Sequence, residues 1–247
     1  AATDQSPTTT IFPVGAGTLT KTEDNPSNVF ATLNPLAQYR DYIIFKYGNN
    51  QAKITSNVGQ RNFISTLAMS SGKFYFEAKL DNIGTNNSGS APYIGIFAYP
   101  NYAGNQYVGN TGGAGYNTNG AIYSNNGSAT NTGTNYTTGD NIGCAVDLNN
   151  NKIYWHKNGT YISNGSGTGN PTTGANGYDI SAITALGDVG FCLSGYQINA
   201  EWACNFGNGY FGDTIISSEG TNASGNGIFE YDVPTNYTAL STKGLNL

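Results

Sequence analysis

An alternation of apolar and polar residues with a period of two is the feature that most limits what this chain can fold into. It is clearest in residues 73–80, where the apolar side chains share one face and the others share the opposite face. The apolar set is Phe74, Phe76, Ala78 and Leu80, and the other set is Lys73, Tyr75, Glu77 and Lys79. No segment longer than about ten residues has the three-to-four spacing of an amphipathic helix. The pattern predicts an all-β fold in which this strand is buried on one face only.

Further short strands are predicted wherever alternating runs lie between clusters of Gly, Asn and Pro. They cover residues 42–47, 52–55, 63–68, 93–99, 121–124, 142–148, 152–157, 189–193 and 200–206. Two turn-rich inserts, residues 100–120 and 163–178, and a glycine-rich segment, 207–227, interrupt them. So many short strands indicate two packed antiparallel sheets. We expect residues 1–20 to be an N-terminal arm or linker and residues 21–247 to form a single β-sandwich domain.

Charge and hydropathy exclude two classes of partner. The chain has 247 residues, of which 10% are charged, and its net charge is −5. A nucleic-acid-binding surface needs a concentration of basic residues, so no nucleic acid is expected as a partner. The apolar runs are a few residues long, against the roughly 20 that cross a bilayer as a helix. No membrane insertion is predicted.

The reactive side chains do not form a catalytic or metal-binding pattern. Cys144, Cys192 and Cys204 are widely spaced within hydrophobic runs, which favours buried thiols over a disulfide framework. His156 is the only histidine, and its alternation with Tyr154 and Asn158 places it on a solvent-facing row. We therefore predict no catalytic residues, no metal site and no cofactor. The chain is not expected to be an enzyme.

One short motif imitates the start of a calcium loop. Asp147, Asn149 and Asn151 supply oxygen ligands at alternate positions, as a hard cation requires. Lys152 stands where such a loop has glycine, and no distal glutamate follows. A plain hairpin turn is the preferred interpretation, because Asn tolerates the positive φ of tight turns.

Several segments, in order along the chain, resemble the SPRY domain. The central hairpin of that family is similar to residues 139–148 (GDNIGCAVDL) and 152–159 (KIYWHKNG), and its opening strand to residues 71–77 (SGKFYFE). Residues 93–96 (YIGI) and 205–207 (NFG) resemble the next and the closing strands, so the core motifs span 71–207. The resemblance implies a bent, concanavalin-like antiparallel β-sandwich of the jelly-roll type. In cellular members, loops at one edge of that sandwich hold protein or peptide partners.

The flanking segments look like those of SPRY proteins from tailed bacteriophages. These segments are residues 24–36 and 237–242. This resemblance implies a protein on the external surface of the virion, made in the host cytoplasm. A homo-oligomer is possible for such a protein, but the chain has no coiled-coil heptads to enforce one.

The candidate binding residues are tyrosines near the first long insert: Tyr99, Tyr102, Tyr107 and Tyr116. Tyrosine next to Gly, Asn and Ser is typical of paratopes and sugar-binding surfaces, because the ring offers apolar area with a hydroxyl group. The alternative is that some of these rings fold back over the edge of the sandwich. We expect Trp155 and Trp202 to lie in the core.

Three functions are compatible with these features. The first is a virion module, in a tail fibre, appendage or capsid decoration, whose loops bind a host-surface glycan or protein or other virion proteins. The second is an SPRY protein-interaction module that grips a partner peptide. The third is a carbohydrate-active enzyme, which would need two acids about 5–10 Å apart in an open groove. Host, receptor and copy number are not encoded in the sequence.

Overall fold

The computed structural model of the protein describes residues 24–37, 41–57, 59–85 and 92–247, so the predicted N-terminal arm, 1–20, lies outside the described residues. Seventeen strands and one short helix, α1 (Ser181–Thr184), are described. The strands are β1 (Ile43–Lys46), β2 (Gln51–Ile54), β3 (Arg61–Ile64), β4 (Lys73–Asn82), β5 (Tyr93–Ala98), β6 (Gly113–Asn117), β7 (Ala121–Ser124), β8 (Thr130–Asn131), β9 (Asn141–Asp147), β10 (Lys152–Lys157), β11 (Thr160–Tyr161), β12 (Tyr178–Asp179), β13 (Val189–Gly195), β14 (Glu201–Asn205), β15 (Tyr210–Phe211), β16 (Thr214–Ile215) and β17 (Thr238–Ala239). Two 3-10 turns cover Tyr99–Asn101 and Gly244–Asn246.

Two antiparallel sheets form the sandwich, which confirms the predicted all-β class. The nine-stranded sheet has the order β1-β2-β14-β4-β9-β10-β11, with β12 paired to β10 and β17 paired in parallel to the start of β4. The six-stranded sheet has the order β3-β13-β5-β6-β7-β8. A separate hairpin pairs β15 with β16. No helix in the described part of the chain is long and apolar enough to span a membrane.

The main core lies between the two sheets. The rings of Phe76 on β4 and Phe191 on β13 pack with centroids 4.3 Å apart. Both tryptophans are buried, as predicted, and each donates its indole N–H across the sandwich: Trp155 to the Ile94 carbonyl and Trp202 to the Ser194 carbonyl, both at 3.0 Å. Each bond joins the nine-stranded sheet to the backbone of the six-stranded one.

The second face of β4 is also buried, so the prediction of a half-exposed strand is wrong. Tyr75 and Glu77 are both fully buried. The C-terminal part of the chain lies over this face: Phe229 packs edge-on against Tyr75 with centroids 5.0 Å apart, and β17 pairs with the start of β4. The alternation identified the strand correctly but could not reveal a cover supplied by residues about 150 positions away.

Two local predictions need correction and others are confirmed. The insert at 100–120 is not a continuous loop, because its residues 113–117 form β6 between β5 and β7. The strand predicted at 63–68 is shifted, since β3 spans Arg61–Ile64. The hairpin turns are confirmed by left-handed Asn151 and Asn158, with φ of 53° and 48°. The three cysteines are free and buried, as predicted.

Candidate functional site

The four tyrosines predicted to bind a ligand occupy different environments. Tyr116 lies in β6, fully buried, and donates its hydroxyl to the Thr134 carbonyl at 2.5 Å, so its ring is not part of the surface. Tyr99 and Tyr102 turn inward and donate their hydroxyls to the carbonyls of Ser65 and Asn62. Tyr107 is partly exposed, and its ring reaches the surface.

These rings lie on a second apolar cluster, on the outer face of the six-stranded sheet. Side chains that point away from the main core form its base: Ile64, Tyr93, Phe97 and Cys192. Residues 99–112, which we call the cover segment, place Val108 among them. Tyr99, Tyr102 and Tyr107 pack around this cluster. The interpretation that some of the tyrosines fold back over the sandwich is therefore confirmed.

Three tyrosines form what we call the tyrosine surface: Tyr93, Tyr107 and Tyr123. The Tyr107 centroid lies 5.2 Å from that of Tyr93, and the Tyr123 centroid lies 6.0 Å from both other rings. Tyr107 and Tyr123 meet edge to face and are partly exposed, while Tyr93 is buried beneath them. The surface thus offers two partly exposed rings that pack on a buried third ring.

Sequence reasoning missed Tyr93 and Tyr123 because it sought binding residues in the loops. A signal was present: Tyr93 alternates with Ile94 and Ile96, and Tyr123 follows Ile122, so both tyrosines belong to the outward rows of their strands. An aromatic residue on the outward face of a strand, next to an insert rich in tyrosine, is the pattern that identifies Tyr93 and Tyr123.

Gly109 allows the cover segment to approach the sheet. A Cβ added at this position would lie 2.3 Å from the Tyr123 Cβ and 2.8 Å from the Tyr107 Cε2. Any other residue would therefore push the two rings apart.

Burial makes the hydroxyls of Tyr93 and Tyr107 harder to ionise. It raises the pKa of Tyr93 to about 12, and it also raises the pKa of Tyr107. Asn117 donates from Nδ2 to the Tyr93 hydroxyl at 3.4 Å. The surface supplies apolar ring area together with hydroxyl groups that can form hydrogen bonds.

A buried polar network lies on the opposite side of the molecule, on the outer face of the nine-stranded sheet. The Tyr75 hydroxyl is 2.8 Å from Glu77 Oε1 and 2.6 Å from His156 Nε2. Glu77 also accepts the backbone N–H groups of Glu230 and Tyr231, both at 2.9 Å. Its carboxylate therefore links the backbone at Glu230 and Tyr231, in the C-terminal segment of residues 228–247, to β4.

His156 belongs to this network, and the prediction that it faces solvent is wrong. The side chain is 1% exposed, and burial lowers its pKa to about 3, so the ring is neutral. Tyr231 and Tyr161 pack edge-on against it. Tyr231 covers His156, while Gly169 and Gly177 of the insert 163–178 lie against the ring of Tyr154, so this row does not face water.

Glu77 shows the opposing influences of burial and hydrogen bonding. Burial raises its pKa to about 7, while the two backbone amides and the Tyr75 hydroxyl act to lower it. Each carboxylate oxygen already accepts a hydrogen bond from the protein. An acid held in this way has no free oxygen to present to a sugar, which disfavours Glu77 as a glycosidase residue.

The comparison with protein families finds a match in the central part of the chain. Residues 73–168 match the SPRY domain. The matched span runs from β4 to β11 and contains the resemblances noted at 93–96 and 139–159. The SPRY resemblance is therefore confirmed.

One solved structure of an SPRY domain supports the same fold, and a second is similar in part. The structure described as a human SPRY domain has a TM-score of 0.50 and 15% identity, covering 66% of this chain and 94% of that one. The SPRY domain of human HERC1 has a TM-score of 0.47 and 18% identity, covering 66% of this chain and 91% of that one. A search of curated proteins finds no match.

The asparagine motif after β9 of the SPRY span is a hairpin turn. The Asp147 carboxylate accepts Lys73 Nζ at 2.9 Å and the Asn150 backbone N–H at 3.1 Å. Asn149 Oδ1 accepts the Gly72 N–H, and Asn151 Oδ1 accepts the Thr184 hydroxyl. The three side chains thus serve different neighbours. Across the ranges that the structure describes, no group of three or more His, Cys, Asp or Glu could hold a metal ion.

A groove of about 740 Å³ lies where the start of β4 meets the C-terminal segment. Its walls include Lys73, Asn149, Ser224 and Tyr237. The Lys73 ammonium group is already paired with Asp147 and lies 5.6 Å from the centroid of the Tyr237 ring. Because this cation already has protein partners, we favour the tyrosine surface as the candidate functional site.

Proposed function

We propose that this chain is a non-enzymatic protein-binding module that contacts a partner protein through the tyrosine surface. The observation that carries the proposal is the pair of partly exposed rings, Tyr107 and Tyr123, which meet edge to face over the buried Tyr93. Tyrosine is enriched at protein interfaces because it combines large apolar area with a hydroxyl group at low entropic cost. The SPRY match supports a protein partner, since SPRY domains are generally interaction modules.

The shape of the site also favours a protein over a small ligand. Small-molecule sites are concave and enclose most of their ligand. The tyrosine surface consists of rings standing on the outer face of a sheet, with the cover segment beside them. A broad partner surface or an extended peptide suits this arrangement.

The test is a selection of binding peptides from a random displayed library. Peptides selected on the full chain are measured by calorimetry against the wild type and the double variant Tyr107→Ala/Tyr123→Ala. We expect the double variant to lose binding by tenfold or more, because truncation of interface tyrosines typically costs more than about 1.4 kcal/mol. The matched control is Tyr42→Ala, which removes a tyrosine that is 52% exposed next to β1 of the other sheet.

The outcomes separate the proposals. Loss of binding in the double variant, with retention in Tyr42→Ala, supports the tyrosine surface. Peptides that bind the wild type and the double variant equally would place the interface elsewhere. A glycan array run with the same proteins tests the alternative ligand, and saturable glycan binding that depends on Tyr107 and Tyr123 would contradict a protein partner.

The setting on a bacteriophage virion is the second part of the proposal. It is supported by the resemblance of residues 24–36 and 237–242 to phage SPRY proteins and by the low content of charged residues. Under this proposal, the partner is a host-surface protein or another virion protein. An antibody against the domain that labels intact particles would support this setting, and labelling of infected-cell contents alone would contradict it.

A further inference from the structure

The cover segment, residues 99–112, shields an apolar face that is separate from the main core. Ile64, Phe97 and Cys192 lie beneath it on three adjacent strands, β3, β5 and β13. The other two cysteines, Cys144 and Cys204, lie on the nine-stranded sheet and are fully buried. The three thiols thus report on two different parts of the molecule.

Few hydrogen bonds hold the middle of the cover segment to β3. Asn62 donates its backbone N–H to the Gly104 carbonyl at 2.9 Å and its Nδ2 to the Ala103 carbonyl at 3.3 Å. The Tyr102 hydroxyl donates to the Asn62 carbonyl at 3.0 Å. These contacts of the middle are concentrated on Asn62, while the ends of the segment are held by the Tyr99 hydroxyl on the Ser65 carbonyl and by the Asn126 N–H on the Gly109 carbonyl.

The same interface contains buried acceptors that lack a donor. Asn62 Oδ1, on β3, and Gln106 Oε1, in the cover segment, are buried and accept no hydrogen bond from the described residues. The Asn62 side chain uses its Nδ2 to donate to the Ala103 carbonyl, and this bond fixes the orientation of the side-chain amide. The Asn62 Oδ1 atom therefore points away from Ala103. A buried acceptor without a donor costs free energy that is recovered when the group meets water. The free energy of closing the cover segment is therefore less favourable than the burial of its apolar side chains alone would give.

We propose that the cover segment opens as a unit while the sandwich stays folded, and so exposes the apolar face and Cys192. Local opening of this kind occurs where few contacts hold a segment and the rest of the core stays intact. The opening is a conformational device that does not depend on the proposed partner. It makes the face beneath the tyrosine surface accessible in a minor fraction of molecules.

Thiol labelling of the full chain tests the proposal. Burial raises the pKa of all three thiols and keeps them unreactive in the closed state. The protein is incubated with iodoacetamide under native conditions, and the modification of each cysteine is followed by peptide mass spectrometry. We expect Cys192 to react at least about tenfold faster than Cys144 and Cys204, because local opening requires less free energy than global unfolding.

A pair of hydroxyl deletions makes the test specific. Tyr102→Phe removes the bond to the Asn62 carbonyl and should accelerate labelling of Cys192 about fivefold, within the range expected for one hydrogen bond. Tyr116→Phe is the matched control, because it removes a similar bond to the Thr134 carbonyl on the core side of the same sheet. It should leave the labelling rate of Cys192 unchanged.

Two results would overturn the proposal. The first is labelling of all three cysteines at a common rate with a common urea dependence, which indicates that Cys192 reacts only after global unfolding. The second is equal acceleration of Cys192 labelling by Tyr102→Phe and Tyr116→Phe. Selective acceleration by Tyr102→Phe alone supports local opening of the cover segment.

Discussion

The Tyr75 hydroxyl lies 2.6 Å from His156 Nε2, in a part of the protein that water does not reach. The Gly159 N–H donates to Nδ1 of the same ring at 3.1 Å, so the neutral imidazole carries its proton on Nε2. Nε2–H therefore donates to the Tyr75 oxygen, and the Tyr75 O–H donates to Glu77 at 2.8 Å. The direction of donation is determined along the whole network.

Removing the central hydroxyl should destabilise the fold. Tyr75→Phe leaves the His156 Nε2–H without an acceptor and deprives Glu77 of one donor. We expect the free energy of unfolding to fall by about 2–4 kcal/mol, measured by urea denaturation. Tyr42→Phe, an exposed control, should change it by less than about 0.5 kcal/mol. Equal values for the two variants would show that the network contributes nothing.

The network also predicts how stability depends on pH. The pKa of Glu77 is raised from 4.5 to about 7, so the folded state binds the proton more tightly and stability falls as pH rises through this window. The pKa of His156 is lowered from 6.5 to about 3, so the stability associated with its neutral form is present above pH 6.5 and is lost as pH falls. Between pH 4.5 and 6.5, the ordinary pKa values of the two groups, Glu77 and His156 change the free energy of unfolding with pH in opposite directions.

The variant Glu77→Gln should separate the two effects. With the glutamate removed, only the His156 slope remains, and the free energy of unfolding should fall by about 1.4 kcal/mol per pH unit as pH is lowered from 6 to 4.5. The wild type should be nearly flat over the same range. The measurement is urea denaturation at several pH values, and parallel profiles for the two proteins would contradict the assignment.

Gly143 makes room for the His156 ring, and this position should tolerate no side chain. A Cβ there would lie 1.9 Å from His156 Nε2. Gly143→Ala should therefore cost about 3 kcal/mol or more, since the clash displaces a buried, hydrogen-bonded ring. The control is Gly133→Ala, at an exposed turn glycine where a Cβ meets nothing within 4 Å and only a left-handed φ of 75° opposes the substitution. Thermal unfolding should show a much smaller loss for the control.

The two cross-sheet indole bonds should be comparable in energy. Trp155→Phe and Trp202→Phe each remove an N–H donor bonded across the sandwich at 3.0 Å and leave space in the core. We expect each variant to lose about 2–4 kcal/mol of unfolding free energy, measured by urea denaturation. The loss in the double variant should differ from the sum of the single losses, because Ile94 pairs with Leu193, next to Ser194, and the two sites are close enough to couple. A loss below 1 kcal/mol in either variant would contradict a stabilising role for that bond.

The strands were predictable because their signals are local. Lys152–Lys157 and Ala121–Ser124 were predicted with the bounds that the structure shows, and the left-handed Asn151 and Asn158 lie in the predicted turns. Alternation with a period of two and turn-forming residues act between near neighbours, so they can be read from the sequence. The SPRY resemblance rested on the same kind of short-range pattern.

The candidate site was only partly predictable. Tyr107 was predicted because it lies in a loop rich in Gly and Asn. Tyr93 and Tyr123 were not predicted, because the contact between their rings depends on the pairing of β5, β6 and β7. Tyr116 was named with them, although its strand turns it into the core. Whether a tyrosine in a loop or strand faces water depends on which chain segment packs over it.

The sequence by itself determined the all-β class, most of the strands, the hairpin turns and the burial of the tryptophans and cysteines. Only the tertiary structure decided that His156 and Glu77 are buried and that the cover segment conceals Cys192. The physical reason is that a strand pattern specifies the chemistry of each face but not what lies against it. That contact is made by residues far away in the chain, as when the amides of Glu230 and Tyr231 bind Glu77.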